Sequence, residues 1–495
     1  MERVTPMTRL SGDHLGFNID YNHIKSNIFI PKYYNPEIEA TLEGLSSTHY
    51  LVPISKLITE KYVKLSTGHE VGKMAYGTGE IPFVRTSDIS NWEIKTDPKQ
   101  GVSQDIYDQY ATRQDVKNGD IFFVRDGTYL IGQSCFITNP DLPCLYQSHI
   151  LKIRVVDKSP IRKELFFACL NTPIVKRQIR AKQFTADIID TIGNRFTELI
   201  LPIPKDTELA LRIADSIQQN AAERSILREY IRKVPFWAQG IISSKEDALP
   251  PDFLQRTEIT GNTGYKISYT AIRSGIFMPK YYDPLLESDI QSLTLTHDLI
   301  SLASLIKQGV LGWTTGIEVG KMAYGTGDIP FIRTSDMANW ELKSDPKQNV
   351  SELIYEANKQ DVMPEDIFIV RDGTYLVGTS SIVTEHDAKM LYCGGLYKLR
   401  VKKKDKLDPY LLLALLNTPI VRRQMRSKQF TRDIIDTLGK RLFDVVIPIP
   451  KDSVLRIKIA DEVQEIIRAR ARLRNDVRQL ALDVEGIRGT EEITP

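Results

Sequence analysis

Residues 71 to 92 read VGKMAYGTGEIPFVRTSDISNW, and residues 319 to 340 read VGKMAYGTGDIPFIRTSDMANW. The two stretches lie 248 residues apart and differ at four positions, each keeping size or polarity (Glu80/Asp328, Val84/Ile332, Ile89/Met337, Ser90/Ala338). A period this long exceeds the roughly 20 to 50 residues of a solenoid unit, so the chain reads as two copies of a whole domain. Its 495 residues also exceed the roughly 250 to 300 at which a single core stops growing.

The repeat extends well beyond this stretch. IFIPKYYNP (28 to 36) returns as IFMPKYYDP (276 to 284), and Tyr21 pairs with Tyr269. After WEIKTDPKQ and WELKSDPKQ the second copy loses two residues, and GDIFFVRDGTYLIG (119 to 132) matches EDIFIVRDGTYLVG (365 to 378). An apolar run, Asp-Gly turn chemistry and a second β-rich run predict a hairpin or strand–loop–strand. LKIRVV (151 to 156) and YKLRVK (397 to 402) alternate as half-buried strands do. KELFFACLNTPIVKRQIRAKQFTADIID (163 to 190) and its counterpart at 409 to 436 read as helices, with Asn171 to Pro173 suiting a helix start. LPIPKD (201 to 206) and IPIPKD (447 to 452) close the units.

Each unit then runs into about 30 residues of helical apolar periodicity. One face carries Ala210, Ile213, Ala214 and Ile217; the other copy has Ile459, Ala460, Val463, Ile466 and Ile467. Asp206 and Asp452 suit N-caps, and the two stripes are expected to bury against each other. The expected fold class is α+β, with two homologous domains each followed by a long helix. The expected order is a first domain over 1–205, a helix over 206–240, a linker over 241–252, a second domain over 253–451, a helix over 452–486 and a tail over 487–495.

Net charge is +2, which excludes a grossly basic protein but leaves room for a local basic face. The four cysteines lack C-x-x-C spacing and do not repeat between the halves, so free thiols in a reducing compartment are expected. The first 17 residues lack the apolar core of a signal peptide, and no apolar run approaches about 20 residues. No membrane association is expected.

Catalytic signatures are missing. There is no phosphate loop of the G-x-x-x-x-G-K-[ST] form, and Gly77-Thr78-Gly79 lacks the third glycine and helix start of a dinucleotide site. The seven histidines do not repeat, and no H-E-x-x-H or Cys/His cluster is present, so neither a metal nor a cofactor is expected. No G-x-S-x-G elbow occurs. Asp88/Asp336 and Asp126/Asp372 repeat beside arginines, where ion pairing accounts for them better than a catalytic dyad does. The sequence argues against an enzyme.

What repeats is a polar, hydrogen-bonding set with aromatic and glycine neighbours. In the first copy it is Lys73, Tyr76, Thr78, Arg85, Thr86, Ser87, Asn91, Arg125, Thr128 and Tyr129. In the second it is Lys321, Tyr324, Thr326, Arg333, Thr334, Ser335, Asn339, Arg371, Thr374 and Tyr375. Nucleic-acid surfaces use these types: arginine and lysine for phosphates or guanine edges, the hydroxyls and amides for phosphates or adenine edges. The other reading is that Thr86, Asp88 and Asn91 cap turns and Arg85 pairs with Asp88. The basic helical runs Lys176, Arg177, Arg180, Lys182 and Arg422, Arg423, Arg426, Lys428 suit either phosphate tracking or a solvated face.

In this order, the motifs resemble the specificity (S) subunit of type I restriction–modification systems over nearly the whole chain. The resemblance rests on G-x-I-P-(F/Y)-(I/V)-R-T-x-D-I at Gly79–Ile89 and Gly327–Met337, and on G-D-I-(L/F)-x-x-R-x-G-T-x-x-x-G at Gly119–Gly132. It also rests on the P-x-P endings at Pro202–Pro204 and Pro448–Pro450. The second copy has Glu365 in place of the first glycine, and the family's glutamine after P-x-P is not evident in KDTELALRIA. The resemblance implies a non-catalytic, cytoplasmic subunit that binds double-stranded DNA through two target-recognition domains. Each domain would read one half of a bipartite target, and antiparallel helices would hold two DNA adenine methyltransferase (modification) subunits. Motor/endonuclease (restriction) subunits would join for cleavage. Helices of about 30 residues span roughly 45 Å, about one DNA turn. A second expectation is a specificity-subunit-like DNA sensor or adaptor of another anti-phage defence system, which gene neighbourhood distinguishes. The divergent segments are 37–70 against 285–318, 101–113 against 349–359, and 147–149 against 393–395. They are expected to carry the difference between half-sites.

Overall fold

A computed structural model of the chain describes residues 19, 24–25, 28–96, 98, 100–127, 130–186, 189–250, 266–272, 276–373, 376–387, 389–432 and 435–487. The chain divides into two compact α+β units. One comprises Met1–Ile94, Pro98–Glu223 and Asn475–Pro495; the other comprises Lys95–Asp97 and Arg224–Arg474.

In the first unit the strands are β1 (His49–Pro53), β2 (Val63–Thr67), β3 (Ile81–Val84), β4 (Ile89–Ser90), β5 (Glu93–Ile94) and β6 (Gly101–Val102). They continue as β7 (Ile121–Val124), β8 (Ser134–Phe136), β9 (Leu145–Tyr146), β10 (Ile150–Val155), β11 (Phe184–Ala186), β12 (Ile189–Thr191) and β13 (Ile200–Pro204). Among the described residues a four-stranded sheet runs β2-β10-β7-β8, and a three-stranded one runs β6-β3-β9. Strand β7 explains how they stack. Ile121 and Phe123 enter a core with Phe166, Phe167, Ile174 and Val175, while Phe122 and Val124 enter another with Val84, Ile89 and Tyr146. Both faces are covered, which is why IFFV is an unbroken apolar run rather than an alternating one.

Two expectations about these strands change. The partner of β7 is Ser134–Phe136, with Phe123 opposite Ser134, so the apolar Leu130–Gly132 lies in the connecting loop and not in a strand. Asp126 is drawn aside to form an isolated bridge with Thr191, and Gly132 turns the chain back at φ +90°. Strand β10 is not half-buried either. Lys152 is 5% exposed because its amine donates to the Gln114 and Asp115 carbonyls, which end a helix over Gln104–Gln114. A buried lysine paired this way needs no solvent face.

The second unit repeats the plan. Strands Leu311–Thr315, Leu396–Val401, Ile367–Val370 and Ser380–Ile382 form its four-stranded sheet in that order. Gln348–Val350, Ile329–Ile332 and Leu391–Tyr392 form its three-stranded one.

The first long helix occupies Thr207–Ala238 and the second Ser453–Val484. Asp206 Oδ1 caps the first by accepting from the Glu208 and Leu209 N–H groups. Asp452 Oδ1 does the same for Val454 and Leu455. The predicted stripes are buried in cores that hold domain residues and residues of the other long helix as well. Ile213, Ala214 and Ile217 lie with Phe166 and Leu201, and Ile459, Val463 and Ile466 lie with Leu412, Ile447, Leu227 and Ile231.

Within the second unit, at the end of the first long helix, His297 Nε2 donates to the Ala238 carbonyl at 3.2 Å, and Gln239 Oε1 accepts from the Ile420 N–H at 2.9 Å. Within the first unit, at the end of the second long helix, His49 Nε2 donates to the Val484 carbonyl, and Glu485 Oε1 accepts from the Ile174 N–H. The first unit is therefore completed by residues from the far end of the chain.

Candidate nucleic-acid interface

The near-identical stretch begins as a turn. Lys73–Ala75 forms one short 3-10 turn, with Ala75 buried and Lys73 and Met74 exposed. Tyr76 then packs its ring 5.6 Å from Phe83, and the Arg85 guanidinium lies 5.8 Å from the Tyr76 ring, within reach of a cation–π contact. Tyr324 and Phe331 repeat the ring pair at 5.7 Å. The Thr78 hydroxyl donates to the Ala75 carbonyl at 2.7 Å and accepts from the Ser103 N–H at 3.0 Å. Thr326 makes the same two bonds to Ala323 and Ser351. These threonines tie the turn to the neighbouring helix start. Gly79 allows that approach, since a Cβ there would sit 2.7 Å from Ser103 Cα.

Arg85 follows β3, and its N–H donates to Asp88 Oδ2 at 2.9 Å, as that of Arg333 does to Asp336. The aspartate thus caps the turn over Thr86–Asp88. Arg85 Nε is buried and has no hydrogen-bond partner among the described residues. Thr86 and Thr334 are half-buried, and Ser87 and Ser335 are exposed beside them.

Asn91 and Asn339 are buried, at 8% and 7% exposure. Asn91 (φ +47°) and Trp92 (φ +68°) connect the paired Ser90 and Glu93, and Asn339 (φ +50°) and Trp340 (φ +65°) repeat this in the second copy. Two successive positive φ values make the tight hairpin turn that asparagine favours. Asn339 Oδ1 also accepts from the N–H and hydroxyl of Thr96.

Arg125 leaves β7 and donates through Nε to Asp126 Oδ2 at 2.8 Å. The Thr191 hydroxyl donates to Asp126 Oδ1, and His149 Nδ1 lies 3.3 Å from Oδ2. Burial raises the Asp126 pKa, but the bonds from Thr191 and Arg125 outweigh it and hold the carboxyl below its ordinary value. In the second copy Arg371 Nε donates to Asp372 at 2.6 Å, Thr437 donates to the same carboxylate, and the guanidinium lies 5.3 Å from the Tyr397 ring. Thr128, Tyr129, Thr374 and Tyr375 lie outside the described residues.

In each copy the tripeptide that differs between copies is bonded to the end of the strand before one arginine and to the backbone of the other. Gln147 N–H donates to the carbonyl of Val84, next to Arg85, and the Arg125 N–H donates to the His149 carbonyl. Cys393 and Gly395 make the same links to Ile332 and Arg371. His149 is the side chain at this place in the first copy, and the second has none, since Gly395 occupies it.

The helical basic runs are tied to their own domains. Arg177 reaches Thr41 and Glu37, Lys182 pairs with Glu198 at 3.1 Å, and Arg423 pairs with Asp289. Lys347 was not legible as a site residue. Burial, with the Arg333 charge nearby and the Asp336 carboxylate only partly offsetting both, pushes its amine down to about 8. Among the described residues no cluster of His, Cys, Asp and Glu could hold a metal ion, and the four cysteines are buried and free. No helix among them is long and apolar enough to cross a membrane.

No protein-family model matches the chain, and no curated protein matches it. Solved structures do. A type I restriction–modification S subunit from M. genitalium is 13% identical, with 88% of this chain and 94% of that one covered and a TM-score of 0.33. The HsdS subunit from Thermoanaerobacter tengcongensis is 16% identical over 88% of this chain and 95% of that one, with a TM-score of 0.26. A chain from a study of complex assembly and conformational transition of the type I R-M system is 17% identical over 89% and 98%, with a TM-score of 0.27.

Proposed function

We propose that this chain is the non-catalytic, sequence-specific DNA-binding subunit of a type I restriction–modification complex. The observation that carries this reading is the duplicated arginine pair, Arg85 with Arg125 and Arg333 with Arg371, with the tripeptide that differs between copies bonded beside it. Shared arginines suit contacts common to both half-sites, and a variable segment beside them suits discrimination. Each recognition domain, over 1–205 and 253–451, reads one half of a bipartite target. The helices over 206–240 and 452–486 pack antiparallel, set the spacing and hold two DNA adenine methyltransferase subunits; motor/endonuclease subunits join for cleavage in the cytoplasm. In this reading Lys73, Tyr76, Arg85, Thr86, Ser87 and Arg125, with their counterparts, face DNA. Thr78 and Asn91, with theirs, hold the turns that present them.

The test is methylation mapping in a host genome with and without the gene for this chain. The expected result is a split methylated motif that disappears on deletion. Unchanged methylation together with sequence-independent DNA binding by the assembled complex contradicts the reading.

A further inference from the structure

Met74 and Met322 are 92% and 91% exposed. Isolated exposed apolar side chains are common and need no special account. These two stand out because they are almost fully exposed at the same place in a turn that both copies share. Several other exposed large apolar side chains have polar counterparts, as Tyr50 has Asp298, Leu295 has Ser47, Val454 has Glu208 and Ile226 has Arg472, whereas Leu211 and Ile457 are apolar and exposed in both copies. Phe29 and Phe277 also match, at 66% and 75% exposed, but lie outside the near-identical stretch. Loss of Met74 removes almost nothing from the core, so packing does not explain its retention.

The setting points outward. Ala75 is buried and roots the turn, while Lys73 and Met74 project from it. A Cβ on Gly72 or Gly77 would meet nothing within 4 Å, and the same holds for Gly320 and Gly325, so the turn stands clear on both sides. An exposed lysine accompanies each methionine, and a cation beside an apolar tip matches a duplex, which offers phosphates outside and stacked bases within. Methionine is one of the side chains that enter base steps and unstack them, and its flexible thioether adapts to an irregular gap. Because both copies carry it, such a contact reads deformability and not the difference between half-sites.

Resting on the DNA reading above, we propose that Met74 and Met322 are apolar wedges that enter the duplex at one base step in each half-site and bend it there. The test places 2-aminopurine, whose fluorescence rises on unstacking, at successive positions of a target duplex bound by the full chain. The expected result is a several-fold rise at one position in each half. Met74→Ala abolishes one rise and Met322→Ala the other, each with about tenfold weaker binding. The slope of log affinity against log salt stays unchanged for the methionine variants, whereas Lys73→Ala lowers it by about 0.9. Met74→Leu keeps the rise. Sequence-selective binding with no rise, or a rise that survives both alanine substitutions, overturns the wedge and leaves the DNA reading intact. So does loss of methyltransferase binding in Met74→Ala with DNA affinity unchanged, which makes the turn a protein contact. Failure of the unaltered chain to prefer any sequence overturns both.

Discussion

His297 Nε2 donates to the carbonyl oxygen of Ala238, the last residue of the first long helix, at 3.2 Å. Because a carbonyl only accepts, the proton sits on Nε2, leaving Nδ1 to accept from the Thr296 hydroxyl at 2.8 Å. Burial lowers the His297 pKa, and the bond to Ala238 only partly offsets it. The unfolded imidazole takes up a proton near its ordinary value, about 6.5, while the folded one stays neutral to lower pH. Folded protein therefore binds fewer protons in that window and loses stability as pH falls through it. Urea unfolding at pH 7.5 and 5.5 is expected to show this loss in the second unit and a smaller one in His297→Gln. Equal slopes in the two proteins contradict it.

The other helix end makes a parallel prediction. Glu485 caps the Ile174 N–H as Gln239 caps that of Ile420, and burial raises its pKa despite the bonds it accepts. A neutral amide already does this work in the second unit. Glu485→Gln is expected to leave the melting temperature equal or higher at pH 7, while Glu485→Ala loses about 1 kcal/mol with the cap. Equal losses in both variants contradict this.

Glu341 Oε1 lies 2.5 Å from Arg224 Nη2 and 3.1 Å from Arg470 Nη2, and all three side chains are buried. Removing a shared buried acceptor strands charge in a low-dielectric interior. Glu341→Ala is expected to cost about 3–5 kcal/mol. Glu352→Ala, which breaks the exposed pair with Lys389, is expected to cost far less, because solvent screens that pair. Chemical denaturation measures both, and similar small costs contradict the distinction.

In the proposed DNA reading Lys347, whose amine is pushed down to about 8, is expected to give binding a pH dependence. A phosphate near it favours the protonated amine, so the bound form holds more proton than the free one. DNA affinity is expected to fall as pH rises from 7 to 9, and Lys347→Met is expected to flatten the profile. A flat profile in the unaltered chain removes Lys347 from the interface.

The duplication, the two long helices and their aspartate caps are legible in the sequence because each is local and periodic. The docking of Val484 on His49 is not, since nothing local marks a contact between residues 435 positions apart. Site residues were legible as residue types only. Asn91 and Arg85 look alike as polar repeat residues, yet one is buried in a hairpin turn and the other carries an unpartnered buried Nε. The asparagine before Trp92, between two short β-prone runs, is the signal that separates them. Met74 is visible in the sequence only as part of the repeat, and the fold alone shows that it is exposed.

Selection of duplexes from a randomised library by the full chain with its methyltransferase tests the central claim most directly. The account predicts two defined sequence blocks separated by a spacer of fixed length, with Arg85→Ala and Arg125→Ala degrading one block and Arg333→Ala and Arg371→Ala the other. A single undivided block, or a pool with no enriched sequence, would contradict it.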